Sequence, residues 1–140
     1  MRHKMEISLA GLDHKKLKDT LSNKNFEYDD LYGALIISNG VITVEVNVYY
    51  IQLYVEFKSV LSLLRADNFY QYTYIDIVDC IDIFKMERVG DKLYEFKGGG
   101  VKVTFKQDEV ETLFSSYIKQ FEENCLEYGD VGVQFLSSLK

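Results

Sequence analysis

The chain has 140 residues, 47% of them hydrophobic and 27% charged, with a formal net charge of −6. These values predict one globular domain over residues 1–140, able to bury roughly 68% of its unfolded surface without a metal or disulfide, and they exclude disorder. There is no run of about 18 apolar residues, so no membrane span is expected; Met1-Arg2-His3-Lys4-Met5-Glu6 has charge but no apolar h-region, so no signal peptide is expected.

In chain order, Lys4–Leu9 predicts a short strand. Asp13 is an N-cap for a short helix, with Leu12 as a staple and Leu17 and Leu21 four apart, ending near Ser22–Asn23. The polar stretch from Asn23 to Asp30 predicts a loop. In Leu35-Ile36-Ile37-Ser38-Asn39-Gly40-Val41-Ile42-Thr43-Val44, Asn-Gly between β-branched runs predicts a two-residue hairpin turn, because both central residues tolerate positive φ. The second strand alternates, Ile42, Val44, Val46 and Val48 against Thr43, Glu45 and Asn47. The period then lengthens. Tyr50, Tyr54, Phe57, Leu61 and Leu64 recur at three and four, with Gln52, Glu56, Ser59 and Ser62 off the stripe, which predicts an amphipathic helix over Tyr50–Arg65.

Asp67–Asn68 predicts a turn. Phe69–Ile75, Asp79–Arg88, Lys92–Lys97 and Val101–Lys106 read as strands of an antiparallel meander, the last three separated by Val89-Gly90-Asp91 and Gly98-Gly99-Gly100. A long helix follows, with Asp108 as N-cap, Glu111 at N3, a stripe of Val110, Phe114, Tyr117, Phe121 and Cys125, and Gly129 as the C′ glycine. Val131–Leu139 is an apolar tail, either a terminal strand or a short helix. Strands outnumber helices and are joined by tight turns. The expected fold is therefore α+β: one antiparallel sheet of about five or six strands with two long helices packed on one face.

The charge is uneven. Residues 1–24 hold six bases (Arg2, Lys4, Lys15, Lys16, Lys18, Lys24) against three acids (Glu6, Asp13, Asp19); the other 116 residues hold ten bases and nineteen acids, a net −9. Such a body repels phosphate backbones and attracts a basic protein, so the expected partner is a basic protein and not nucleic acid; the spaced bases at the start make a weak patch for anionic lipid, and no membrane partner is expected. Cys80 and Cys125, each with apolar neighbours, read as buried free thiols in a reducing compartment. His3 and His14 lack a nucleophile beside them, and Gly98-Gly99-Gly100 joins two strands instead of leading into a helix N-terminus, so neither predicts catalysis or phosphate binding.

Ile75-Asp76-Ile77-Val78-Asp79-Cys80-Ile81-Asp82-Ile83 is the segment richest in chemistry. On a continuous strand Asp79 would share a face with Ile75, Ile77, Ile81 and Ile83, and a lone buried carboxylate is costly. A break at Val78–Asp79 that swaps faces is the favoured resolution, and pairing of Asp79 the other. The sharper reading, set against that break, is that Asp76, Asp79 and Asp82 form a row of acids on an exposed sheet face; they lack the carbonyl and glycine geometry of a calcium loop, so no metal is expected. Tyr70, Tyr72 and Tyr74 lie on one face of the preceding strand. They either cover a sheet edge and pack under a helix or, with the three acids, form a partner-binding surface.

Gly40-Val41-Ile42-Thr43-Val44-Glu45-Val46, Phe57 to Leu64, Phe69-Tyr70-Gln71-Tyr72 to Asp76, and Asp108-Glu109-Val110 to Phe121 give this chain a pattern that resembles small acidic immunity proteins of bacterial polymorphic-toxin systems. The resemblance covers about half of the chain and carries over no individual residue. It implies a cytoplasmic bacterial protein, without cofactor or catalytic residues, that neutralises a toxin by covering its active site. The alternative is a structural or regulatory homo-oligomeric subunit, such as a homodimer paired through Val101–Phe105 or the tail from Val131. An enzyme using Asp76 and Asp79 as an acid–base pair carries the least weight.

Overall fold

The computed structural model describes residues 5–139. His3 and the bases Arg2 and Lys4 lie outside the described residues. The first strand, β1 (Glu6–Ser8), leads to α1 (His14–Leu21), whose N-cap Asp13 accepts the Lys15 and Lys16 N–H groups as expected. Then come β2 (Tyr32–Ser38), β3 (Thr43–Tyr49) and α2 (Tyr50–Arg65). The meander is β4 (Gln71–Ile75), β5 (Asp82–Gly90), β6 (Leu93–Gly98) and β7 (Val101–Lys106). Two helices close the chain, α3 (Gln107–Leu126) and α4 (Asp130–Ser138), the latter formed by the apolar tail.

The class is α+β, but the strands form two antiparallel sheets, β1-β2-β3 and β4-β5-β6-β7, with four helices. The expected single sheet of five or six strands under two long helices is corrected on that point. The reason lies at the junction of β3 and α2. The strand passes into the helix without a turn: the Tyr50 N–H makes the last bond in register with β2, to the Leu31 carbonyl at 2.8 Å, while the Tyr49 N–H, on the open side of β3, donates to the Tyr74 hydroxyl at 2.7 Å, so a side chain of β4 and not its backbone meets that edge. The meander therefore starts its own sheet. Helix α3 packs on β1 of the first sheet and on β6 and β7 of the second, and against α2, so both sheets share one core. Phe57 of α2 stands at its centre, its ring 4.5 Å from Phe114 and 5.3 Å from Tyr117.

Several local expectations shift. The first hairpin turns at Gly40–Val41, with Gly40 at φ 89° and the Asn39 side chain accepting the Val41 and Ile42 N–H groups, so Asn39 braces the turn from outside instead of forming its centre. Helix α3 is capped two residues earlier than Asp108: the Glu109 carboxylate accepts the Lys106 N–H at 2.8 Å, while Glu111 pairs with Arg65 at 3.0 Å. Gly129, at φ 68°, is the N-cap of α4 and not C′ of α3, which ends with Glu127 as its cap. The turn at Gly99–Gly100 is as expected, both residues at positive φ between paired Gly98 and Val101.

Candidate protein-interaction surface

Tyr70, Tyr72 and Tyr74 share one face of β4, but it is the face turned to the core. Tyr74 is fully buried; its hydroxyl accepts the Tyr49 N–H and faces the Gln52 amide oxygen at 3.2 Å. Tyr72 is half-buried and donates to the Glu56 carboxylate at 2.6 Å, and burial, reinforced by that carboxylate, pushes its pKa far above 10.0. Tyr70 alone is exposed, at the start of the strand, with the Arg88 guanidinium over its ring at 5.9 Å. Gln52, off the apolar stripe of α2, is buried because its amide bridges to Glu56 and to the Ile75 carbonyl, both at 2.8 Å.

The acids separate too. Asp76 is only 3% exposed, and one carboxylate oxygen accepts the Val78 and Asp79 N–H groups at 2.8 and 2.9 Å. Asp79 and Asp82 are exposed. The strand breaks at 77–79, the favoured resolution, and residues 76–81 form a loop outside the sheet. The expected row of three acids on a sheet face is thus corrected. The free face of the second sheet instead carries Lys85, Lys97 and Lys102 in register, interleaved with Glu87 and Glu95. Nor do the six residues form one surface: Tyr70 and the 76–81 loop lie at opposite ends of β4, about 17 Å apart at roughly 3.4 Å per residue. Asp76 is buried and Asp79 exposed, so the two carboxylates sit in different environments.

The end of the molecule that holds the loop has a different character. Ile77 is 44% exposed, and Val78 and Ile81 are each 54% exposed. Cys80, expected to be buried, is exposed among them at φ 58°, because its apolar neighbours left the sheet with it; Cys125 is buried as expected, and both thiols are free. Beside the loop, Tyr32 and Tyr49 pair across β2 and β3 with ring centroids 4.6 Å apart. Burial, and then the fields of Asp76, Tyr32, Asp79 and Asp29 in falling order, push the Tyr49 pKa above its ordinary 10.0.

Tyr32, Tyr49, Asp29 and the exposed aliphatics were not among the residues singled out from sequence, yet a signal existed. Segments 25–57 and 66–84 contain no Lys, Arg or His, but hold Glu27, Asp29, Asp30, Glu45 and Glu56, and Asp67, Asp76, Asp79 and Asp82. The hairpin, the loop before it and the β4–β5 loop all come from these two segments, which contribute carboxylates and no base of their own.

Elsewhere, a hollow of 380 Å³ between the end of α1 and α4 is lined by Leu21, Lys24, Phe26, Val131 and Phe135 among others. No group of three His, Cys, Asp or Glu side chains that could hold a metal occurs among the described residues, and none of their helices is long and apolar enough to cross a membrane. No protein-family model, characterised protein or solved structure matches this chain.

Proposed function

We propose that the chain is a non-catalytic protein-binding domain, most concretely a cytoplasmic bacterial immunity protein that neutralises a toxin by covering its active site. The observation that carries this is the exposed aliphatic loop, Ile77, Val78 and Ile81, in a segment that holds acids and no bases, at the end of β4 that the Tyr49 N–H joins through Tyr74. Clustered exposed aliphatics mark interaction sites, tyrosines anchor them, and surrounding carboxylates favour a basic partner and speed its approach. Relative to the sequence expectation, the binding residues become Tyr32, Tyr49, Asp29, Asp79, Asp82 and the loop aliphatics; Tyr72, Tyr74 and Asp76 act behind them, and Tyr70 stands apart.

The test uses the protein encoded by the adjacent gene and a bulky maleimide. Cys80 is exposed, whereas burial pushes the Cys125 thiol up to about 12, so the native protein labels at Cys80 alone. The adduct should abolish binding and toxin neutralisation. The same label on Lys102→Cys in a Cys80→Ser background, on the free sheet face, should leave both intact. Undiminished binding by Cys80-labelled protein would remove this surface, and no binding by the unlabelled protein would remove the immunity assignment. A homo-oligomeric subunit is the second reading, because β7 is an edge strand and Val131 and Val133 are exposed; a monomer by light scattering at high concentration argues against it.

A further inference from the structure

Resting on that reading, we infer that the 76–81 loop is a preformed plug, that Asp76 is its positioning residue, and that its occupant site is an apolar recess rimmed by Lys or Arg on a different protein. Asp76 engages the loop through every polar group it has. Its N–H donates to the Ile81 carbonyl at 2.9 Å, its carbonyl accepts the Cys80 N–H at 2.7 Å, and its carboxylate accepts the Val78 and Asp79 N–H groups. A six-residue excursion is thereby closed by the backbone of one buried residue and held in the middle by its side chain, while Ile77, Val78, Asp79 and Ile81 are exposed.

Without this tie the loop would sample many shapes, and binding would be weakened by the fraction of molecules in the competent one. The charge pattern selects the partner. A two-fold contact between copies would set Asp79 and Asp82, within and beside the loop, near their own counterparts, which is repulsive. A recess with basic side chains at its mouth complements both the aliphatic tip and the acids behind it.

The carboxylate acts here as an acceptor of N–H groups, so Asp76→Asn should preserve the loop and Asp76→Ala should release it. Amide hydrogen exchange on the isolated protein reads the loop directly. In Asp76→Ala, exchange at Val78, Asp79 and Cys80 should accelerate at least ~10-fold while core amides of α3 stay protected, and association with the adjacent-gene protein should weaken about 10-fold, matching the lost competent fraction. Asp76→Asn should resemble the wild type in both measurements. Unchanged loop exchange in Asp76→Ala, unchanged association in that variant, or equal losses in Asp76→Asn would each overturn the positioning role. If Ile77→Ser with Val78→Ser binds as well as wild type, the plug itself is overturned, and the exchange data still decide whether Asp76 shapes the loop. Self-association abolished by that double variant would make the occupant a second copy and overturn the assignment of a basic partner.

Discussion

At the scale of single residues, the most informative side chain is Tyr74. A tyrosine on an alternating strand beside acids looks like a surface group, but its hydroxyl supplies the acceptor for the Tyr49 N–H, which points to the open edge of β3 away from β2. Tyr74→Phe keeps the packing against Phe84, 5.3 Å between centroids, and removes that acceptor together with the hydroxyl's bond to the Gln52 amide oxygen. An unsatisfied buried N–H costs about 1–3 kcal/mol, so urea unfolding should show a loss of that size; a midpoint equal to wild type would mean the N–H finds water instead. Cys125 makes a second prediction. Its thiol titrates near 9.0 when unfolded and near 12 when folded, because burial, followed by Glu122, disfavours the thiolate. The folded state therefore holds the proton that the unfolded state has lost, and the stability present below pH 9.0 declines as pH rises toward 12. Tyr50, raised from 10.0 to about 12, acts in the same direction from a higher starting point. Unfolding midpoints followed from pH 8 upward should fall, and between about 9 and 10 the decline should be shallower in Cys125→Ala.

At the scale of elements, the helix ends decide geometry. Helix α4 crosses the end of α3 so closely that a Cβ on Gly132 would lie inside the Cys125 carbonyl. Gly132 is valuable for its lack of volume, since it has no positive φ. Gly132→Ala must push α4 away from α3 and lift Phe135 from the core, with a cost of about 1–3 kcal/mol; thermal unfolding checks this, and a neutral result would mean α4 docks loosely. The helix α2 shows how an element can be legible in pattern and opaque in detail. Its bounds and apolar stripe follow from spacing, yet Gln52 is buried among polar partners that belong to β4, twenty residues further along the chain.

For the whole molecule, the decisive feature is charge placement. All sixteen Lys and Arg residues lie outside segments 25–57 and 66–84, so Asp76, Asp79 and Asp82 stand at one end of the molecule with no base in their own segment, while the free face of the second sheet interleaves Lys and Glu. An encounter steered by that end should slow steeply as salt rises, and Asp79→Asn with Asp82→Asn should lower the association rate and flatten its salt dependence, leaving dissociation little changed. Stopped-flow association with the adjacent-gene protein at several salt concentrations checks this. A rate indifferent to salt would mean that hydrophobic fit alone governs the encounter.

Much was determined by sequence alone wherever the cause is local. Asp13 caps α1 because its oxygen reaches N–H groups two and three residues on; the Gly99–Gly100 turn forms because both residues accept positive φ; α2 and the buried stripe of α3 follow from a period of three and four. The break at Val78–Asp79 was likewise readable, since a continuous strand would have buried a lone carboxylate. Tertiary structure alone decided that the hairpin and the meander form separate sheets, that Tyr74 and Asp76 face inward, and that the Tyr49 N–H meets the Tyr74 hydroxyl. These outcomes depend on which apolar faces find one another across the core, and alternation along a strand distinguishes its two faces without saying which of them the rest of the chain will cover.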